Sequence, residues 1–176
     1  NFKLMGHQNV LVLDGGLHAW VQAGGEIEPH CKIANHTGDF LARPVQTSVV
    51  SVEQMLAALE DPNVRIIDVR SAGRFRGLET EPRPGVKSGH IPSSINIPFP
   101  TLLNGFYLKQ PKELQEIFAS VGCSPNNRLI FSCGSGVTAC IGILAAQHGG
   151  LTNTALYDGS WAEWGASNSL PIVQDI

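Results

Sequence analysis

Arg128-Leu-Ile-Phe-Ser132 runs directly into Cys133-Gly134-Ser135-Gly136-Val137-Thr138-Ala139-Cys140. The first five residues have an apolar centre and no alternation, the pattern of a strand buried on both faces of a parallel sheet. Two glycines within three positions then let the backbone curl tightly. From 137 to 147 apolar residues stand nearly all round the helical projection, which predicts a buried helix. Strand, glycine loop and helix in this order form part of an α/β unit. Open parallel sheets take their ligands beyond the carboxyl ends of their strands, and Cys133 is the first residue past such an end.

Outward from this junction the same alternation continues. Val49 and Val50 begin a short strand. Ser51 and Gln54 make a capping box ahead of Met55, Leu56 and Leu59 on one helical face. Residues 65–69 and 94–97 read as short strands, the second stopped by Pro98. Residues 112–121 read as a helix with Leu114, Ile117, Phe118 and Val121 on one stripe, ended by Gly122. Residues 154–157 form the last strand. The prediction is an α/β fold, a parallel sheet covered by helices on both faces.

The two ends of the chain resemble each other. Gly6, Asn9, Asp14, Gly15 and Trp20 recur as Gly150, Asn153, Asp158, Gly159 and Trp164 at a constant offset of 144. Each copy reads as a short buried strand, an Asp-Gly turn and a small helix whose Trp packs back. A repeat of this period is domain-sized. Residues 1–25 are therefore expected to be the tail of a truncated, related N-terminal domain. Residues 26–47, with Pro29, Asn35, Gly38 and Pro44 and no sustained period, read as an interdomain linker. Residues 48–176 form one complete copy. Burial of Val10, Leu11, Val12 and Leu13 is expected, against this domain or a neighbouring chain.

Composition narrows the function. Of 176 residues, 43% are apolar and only 15% charged, so the chain can build a core. Lys and Arg number 12 against 15 Asp and Glu, a net charge of −3. No basic field exists to hold a phosphate backbone, which argues against nucleic acid. No apolar run approaches the roughly 18–20 residues of a membrane span. The four cysteines form no CxxC pair, and the histidines show no metal-ligand spacing.

The chemistry is expected at Cys133. Glycines let successive N–H groups turn inward as an anion-binding nest, and a helix N-terminus adds partial positive charge. A thiol held there should ionise more readily than a free one. Cys133 is then a candidate nucleophile that needs no histidine; the plain alternative is a buried cysteine beside a structural turn. A Cys-x5-Arg phosphatase would need Arg at position 139, where Ala stands, and residues 133–147 hold no Arg or Lys. Sulfur carriage as a persulfide requires no such clamp. Ser135 offers a hydroxyl to a leaving group or donor carbonyl, and Thr138 is placed to cap the helix.

Cys133-Gly-Ser-Gly-Val-Thr138 resembles the active-site loop of the mercaptopyruvate sulfurtransferases, within the two-domain rhodanese family. Residues 73–92, from Gly73-Arg74-Phe75-Arg76 through Glu81-Pro82-Arg83 to Gly89-His90-Ile91-Pro92, and the closing Asp158-Gly-Ser-Trp-Ala-Glu-Trp164 resemble the same family. The resemblance implies a rhodanese-like fold over about residues 48–165. It implies that Cys133 carries the persulfide, that Ser135 assists sulfur transfer, and that Gly134, Gly136, Val137 and Thr138 complete the anion nest. Arg74 and Arg83 would bind the donor's carboxylate. The expected donor is 3-mercaptopyruvate, releasing pyruvate, and the resemblance implies no metal or organic cofactor. The acceptor is thioredoxin, another small thiol, or cyanide. Thiosulfate is the alternative donor, and a weakly active or inactive protein-binding domain is the alternative role for the truncated chain. The family's cleft lies between two domains, so the missing N-terminal domain or another chain would be needed to complete it. Family members occur in the cytoplasm and in mitochondria.

The remaining residues have structural expectations. Asp68 should pair with Arg70 and hold the loop that follows. His90 should bond to backbone in its turn, and Arg76 should be structural. Trp161 and Trp164 should seal the core, with Trp164 the buried anchor. Cys140 is expected to pack within the helix, while Cys31 and Cys123 are candidates for accessible redox thiols.

Overall fold

A computed structural model describes residues 1–30, 37–45 and 48–175; Cys31 lies outside them. In chain order the elements are α1 (Gly16–Gln22), β1 (Val49–Val50), α2 (Val52–Ala58), β2 (Val64–Asp68), α3 (Ala72–Arg76), β3 (Ile95–Asn96) and a 3-10 turn (Phe99–Leu102). There follow β4 (Leu103–Asn104), β5 (Tyr107–Leu108), α4 (Pro111–Ser120), β6 (Arg128–Ser132), α5 (Ala139–His148), β7 (Thr154–Tyr157) and α6 (Ser160–Trp164). Five strands form one sheet in the order β1-β7-β6-β2-β3, and every pairing in it is parallel. The central β2–β6 pair aligns Ile67 with Phe131 and Asp68 with Ser132. Strands β4 and β5 form a separate antiparallel hairpin. No helix of the described residues is long and apolar enough to cross a membrane.

Alternation along the strands divides the core in two. Ile67, Leu129, Phe131 and Cys133 point to the side covered by α4 and α5, with Leu114, Phe118, Ala145 and Ala146. Ile66, Ile130, Ala155 and Tyr157 point to the other side, against Met55, Trp161 and Trp164. The sheet is thus an α/β layer with helices on both faces, as the apolar runs predict. Helix α5 approaches β6 closely at Gly142, where an added Cβ would stand 2.7 Å from Phe131 Cδ1. The Ser51–Gln54 capping box forms in both directions. Trp164 is fully buried, and its Nε1 donates to Pro171 O at 2.8 Å.

Three expectations are corrected. Helix α5 begins at Ala139 rather than Val137: after the φ of +80° at Gly136, Val137 and Thr138 form a tighter turn, their carbonyls accepting from the N–H groups of Cys140 and Ile141 three residues on. Val137 is 74% exposed, and Cys140 is exposed rather than packed. Thr138 stands at the helix start without a side-chain capping bond.

The largest difference concerns residues 1–25. The stretch 10–13 forms no strand, and Leu11 is 92% exposed. Among the described residues its apolar pattern has no neighbouring strand to bond with, so burial does not follow. The helix of this copy does form as α1. Trp20 packs on Gly25, with its Nε1 donating to Glu26 O at 2.9 Å, but it remains partly exposed. The tail touches the β4–β5 hairpin: Leu108 N–H donates to Asp14 Oδ1 at 3.0 Å, and the His18 and Phe106 rings lie 3.9 Å apart. It also pairs with residues 43–45, through Arg43 N to Met5 O and Val45 N to Leu4 O, both 2.8 Å.

Candidate functional site

The site is assembled where β6 ends. Cys133 follows the strand directly, and its neighbours are fixed by the start of α6. Trp161 N–H donates to Cys133 O at 3.0 Å and Ala162 N–H to Gly134 O at 2.9 Å. The Cys133 N–H donates to Ser160 Oγ at 3.1 Å. Gly136 has no substitute here: its φ is +80°, and a Cβ would stand 2.8 Å from Asp158 O and 2.9 Å from Asp158 Oδ1. The loop therefore curls against the Asp-Gly turn of the second repeat copy. Among the described residues, none of the six amides from Gly134 to Ala139 donates to a protein acceptor. A run of free donors in a curled loop is a composition suited to an anion. Cys133 itself is 1% exposed.

A cavity of about 150 Å³ opens beside this loop, lined by Arg74, Glu81, Arg83, Gly134, Ser135 and Ala162 among others. Arg74 and Arg83, separated from the loop by some fifty residues of chain, are brought onto it as the motif reading expects. The guanidinium of Arg74 lies directly on the loop: a Cβ at Gly134 would be 3.1 Å from its Nη2. Arg83 is exposed, and its side chain makes no hydrogen bond or ion pair among the described residues; its backbone carbonyl accepts from Val86 N–H at 3.4 Å. Ser135 is exposed at the cavity wall. A larger cleft of about 380 Å³ lies at the opposite end of β2, by Ala58, Asp61, Val64 and Ser93, and holds no cysteine.

Behind the cavity stands a buried ionic network. Arg70 Nε reaches both oxygens of Asp68, at 3.1 and 2.9 Å, and Nη2 bonds to Asp68 Oδ2 and Gly89 O. Its Nη1 donates to Glu81 Oε1 at 2.9 Å, and its guanidinium lies 4.4 Å from the Trp161 ring centroid. Glu81 also takes both Nε and Nη2 of Arg74. The Glu81 bond is the largest of the effects that raise the Arg74 pKa; burial opposes it, and charge on Glu81, Asp68 and Cys133 adds to it. The expected Asp68–Arg70 pair forms, and His90 Nδ1 bonds to Phe75 O at 2.8 Å, its ring stacked on Phe75.

Two contributors escape the sequence reading. Glu81 organises both arginines, and its only signal is its place between them and the Pro82-Arg83 step. Ser160 holds the Cys133 amide from the far end of the chain; its signal lies in the repeat. The redox reading of Cys123 is corrected: the residue is buried, and burial pushes its thiol up to about 11. Partial burial also raises the Cys140 thiol, whose Sγ lies 3.6 Å from Gly136 O.

Comparison with known proteins gives the family of the chain. The profile of the rhodanese-like domain matches residues 51–167. The chain is 39% identical over 170 residues to the 3-mercaptopyruvate sulfurtransferase of Escherichia coli K12, covering 97% of this chain and 60% of that protein. It is 38% identical over 168 residues to the thiosulfate sulfurtransferase of Rattus norvegicus, covering 93% and 55%. The chain thus spans little more than half the length of these relatives. In fold it matches EanB in complex with hercynine, with a TM-score of 0.90 at 23% identity, over 99% of this chain and 43% of that one.

Proposed function

The chain belongs to the rhodanese-like family, and on that premise we propose that it carries sulfur as a persulfide on Cys133, taken from 3-mercaptopyruvate. The observation that carries this reading is the small cavity in which Arg74, Arg83 and Ser135 meet the glycine loop of Cys133. The donor's carboxylate pairs with Arg83 and the free edge of Arg74, whose planar forks suit such a group. The Cys133 thiolate attacks the donor sulfur. The S–S bond forms as the C–S bond breaks, and the electron pair leaves on pyruvate enolate, which takes a proton to give pyruvate. Ser135 and the loop amides face the charge that develops. An acceptor thiolate, of a thioredoxin-like protein or a small thiol, or cyanide, then attacks the outer sulfur and returns Cys133 as thiolate.

Charge favours this donor over thiosulfate. Asp68, Arg70, Glu81 and Arg74 cancel in pairs, which leaves Arg83 as the uncompensated charge lining the cavity. One net positive charge matches a monoanionic keto acid, and unpaired charge in a tight site is costly. Relatives named for either donor are about equally similar, so identity does not decide between them. The match runs through the tail at 97% of this chain but only 60% of the relative, which supports reading residues 1–25 and 26–47 as the end of a first domain and a linker. That first domain would wall the other side of the cleft.

The test is single-turnover sulfur loading. Incubated with 3-mercaptopyruvate, the chain gains the mass of one sulfur on Cys133 and releases pyruvate, and Cys133→Ser gains none. Loading of the variant at the wild-type rate, or sulfur found on the exposed Cys140 instead, refutes the mechanism.

A further inference from the structure

Ser160 has a φ of +50°, one of two non-glycine residues with positive φ among those described. A side chain in the left-handed region is strained, and strain of this kind persists where the surroundings hold it in place for a purpose. The repeat shows that the turn itself does not ask for a side chain. At the offset of 144, Ser160 corresponds to Gly16, whose φ is +57°. The first copy holds the left-handed φ at this position with a glycine, without strain, although the residues before it differ, Gly15 with a φ of +77° and Gly159 of −57°. The second copy, which bears the cysteine, places a serine there.

The hydroxyl accounts for the difference. Ser160 is fully buried; its Oγ accepts the Cys133 N–H at 3.1 Å and donates to Tyr157 O at 2.8 Å. With both roles of the hydroxyl fixed, its rotor is locked between β7 and the loop. The two amides after it, of Trp161 and Ala162, take the carbonyls of Cys133 and Gly134. Three successive residues of α6 thus hold the Cys133 amide and the carbonyls of Cys133 and Gly134, and the run of free amides begins at Gly134.

We infer that Ser160 is a positioning residue for Cys133: its strained turn fixes the backbone of the cysteine where the chain leaves β6, so that the sulfur meets the donor held by Arg74 and Arg83 in one orientation. This rests on the proposed role of Cys133 as sulfur carrier. Misplacement of a reacting group by a fraction of an ångström costs on the order of 10- to 100-fold in rate.

Ser160→Gly and Ser160→Ala separate positioning from stability. Both remove the hydroxyl, but glycine relieves the strain and alanine keeps it. The Gly variant should unfold at a higher urea concentration than the Ala variant. Both should load sulfur at saturating 3-mercaptopyruvate roughly 10- to 100-fold more slowly than wild type, with half-saturation unchanged because the arginines are untouched. Wild-type loading by Ser160→Gly overturns the inference, since a merely structural serine would be replaced without loss by a relaxed glycine. If the Ala variant does not fold, the Gly variant alone decides. Absence of loading by the wild-type chain counts against the proposed reaction instead. Ser160 is then judged by hydrogen exchange of the Cys133 amide, expected to be at least about 10-fold faster in Ser160→Gly while Leu129 and Phe131 keep their protection; unchanged exchange overturns it.

Discussion

Replacing Glu81 with Gln keeps the shape of a side chain that two guanidinium groups share and removes its charge. Arg70 and Glu81 have side chains 1% and 3% exposed, whereas Arg74 is 25% exposed. Removing one partner of a buried ion pair costs about 3–5 kcal/mol, because the other charge is left uncompensated. Arg70 retains both oxygens of Asp68 and the Gly89 carbonyl, which places its loss at the lower end of that range. The Arg74 contact is partly screened by water and adds no more than about 1 kcal/mol. The expected cost is about 3–4 kcal/mol, which a domain with about 5–15 kcal/mol of stability survives. Urea unfolding at pH 7 measures it. Double-mutant cycles with Arg70→Met and Arg74→Met apportion it, and the coupling of Glu81 to Arg70 should exceed that to Arg74. A loss below about 1 kcal/mol, or a larger coupling to Arg74, would refute the view that burial rather than proximity to the cavity sets the value of this carboxylate.

Gly136→Ala and Gly122→Ala form a matched pair. Both glycines have φ near +80°, but a Cβ at Gly136 meets Asp158 backbone at 2.8 Å while one at Gly122 meets nothing within 4 Å. Gly122→Ala should cost about 1–2 kcal/mol for the backbone alone and Gly136→Ala about 1–3 kcal/mol more, read from thermal unfolding; equal losses would show that the Asp158 contact is soft. Alkaline pH gives the last of these predictions. The Cys123 thiol is raised from 9.0 to about 11 in the folded chain, so the unfolded chain loses its proton first. The stability contributed is complete below pH 9 and is lost as pH rises toward 11, about 2–3 kcal/mol in all. Cys123→Ala should flatten the stability profile in that window, and an unchanged slope would place the alkaline loss elsewhere.

The sheet was legible because its strands announce themselves twice, as apolar runs and as alternating faces. Ile66 with Ile130, and Ile67 with Phe131, lie on the two sides that their parity demands. The cysteine loop was legible because glycine spacing constrains the backbone directly. The helix after it starts two residues later than its apolar pattern: Val137 and Thr138 continue that pattern but fold as a tighter turn bonded three residues on, a difference hydropathy does not carry. Glu81 was not legible, since a carboxylate in an aperiodic Gly/Pro-rich segment has no pattern to betray burial. Its position follows from where Arg70 and Arg74 are carried by β2 and α3, a tertiary fact.

The two repeat copies show why an apolar pattern is a demand rather than an outcome. Residues 150–164 and 6–20 share Gly150/Gly6, Gly159/Gly15, an aspartate and a tryptophan, and the backbone agrees at two positions and differs at a third: Gly150 and Gly6 have φ of +87° and +88°, Ser160 and Gly16 of +50° and +57°, but Gly159 and Gly15 of −57° and +77°. The strand in the second copy forms because β6 and β1 flank it and take its backbone groups. The corresponding stretch of the first copy has no such neighbours among the described residues, and its Leu11 is exposed. Local sequence thus sets the left-handed positions that begin the stretch and open its helix, while the Asp-Gly turn between them, the strand and the burial of its tryptophan depend on what lies alongside. The same distinction applies at the site. The glycine loop can curl by itself, but it holds Cys133 in one place only because α6, starting from a turn that a glycine would make more easily, closes over it with a serine.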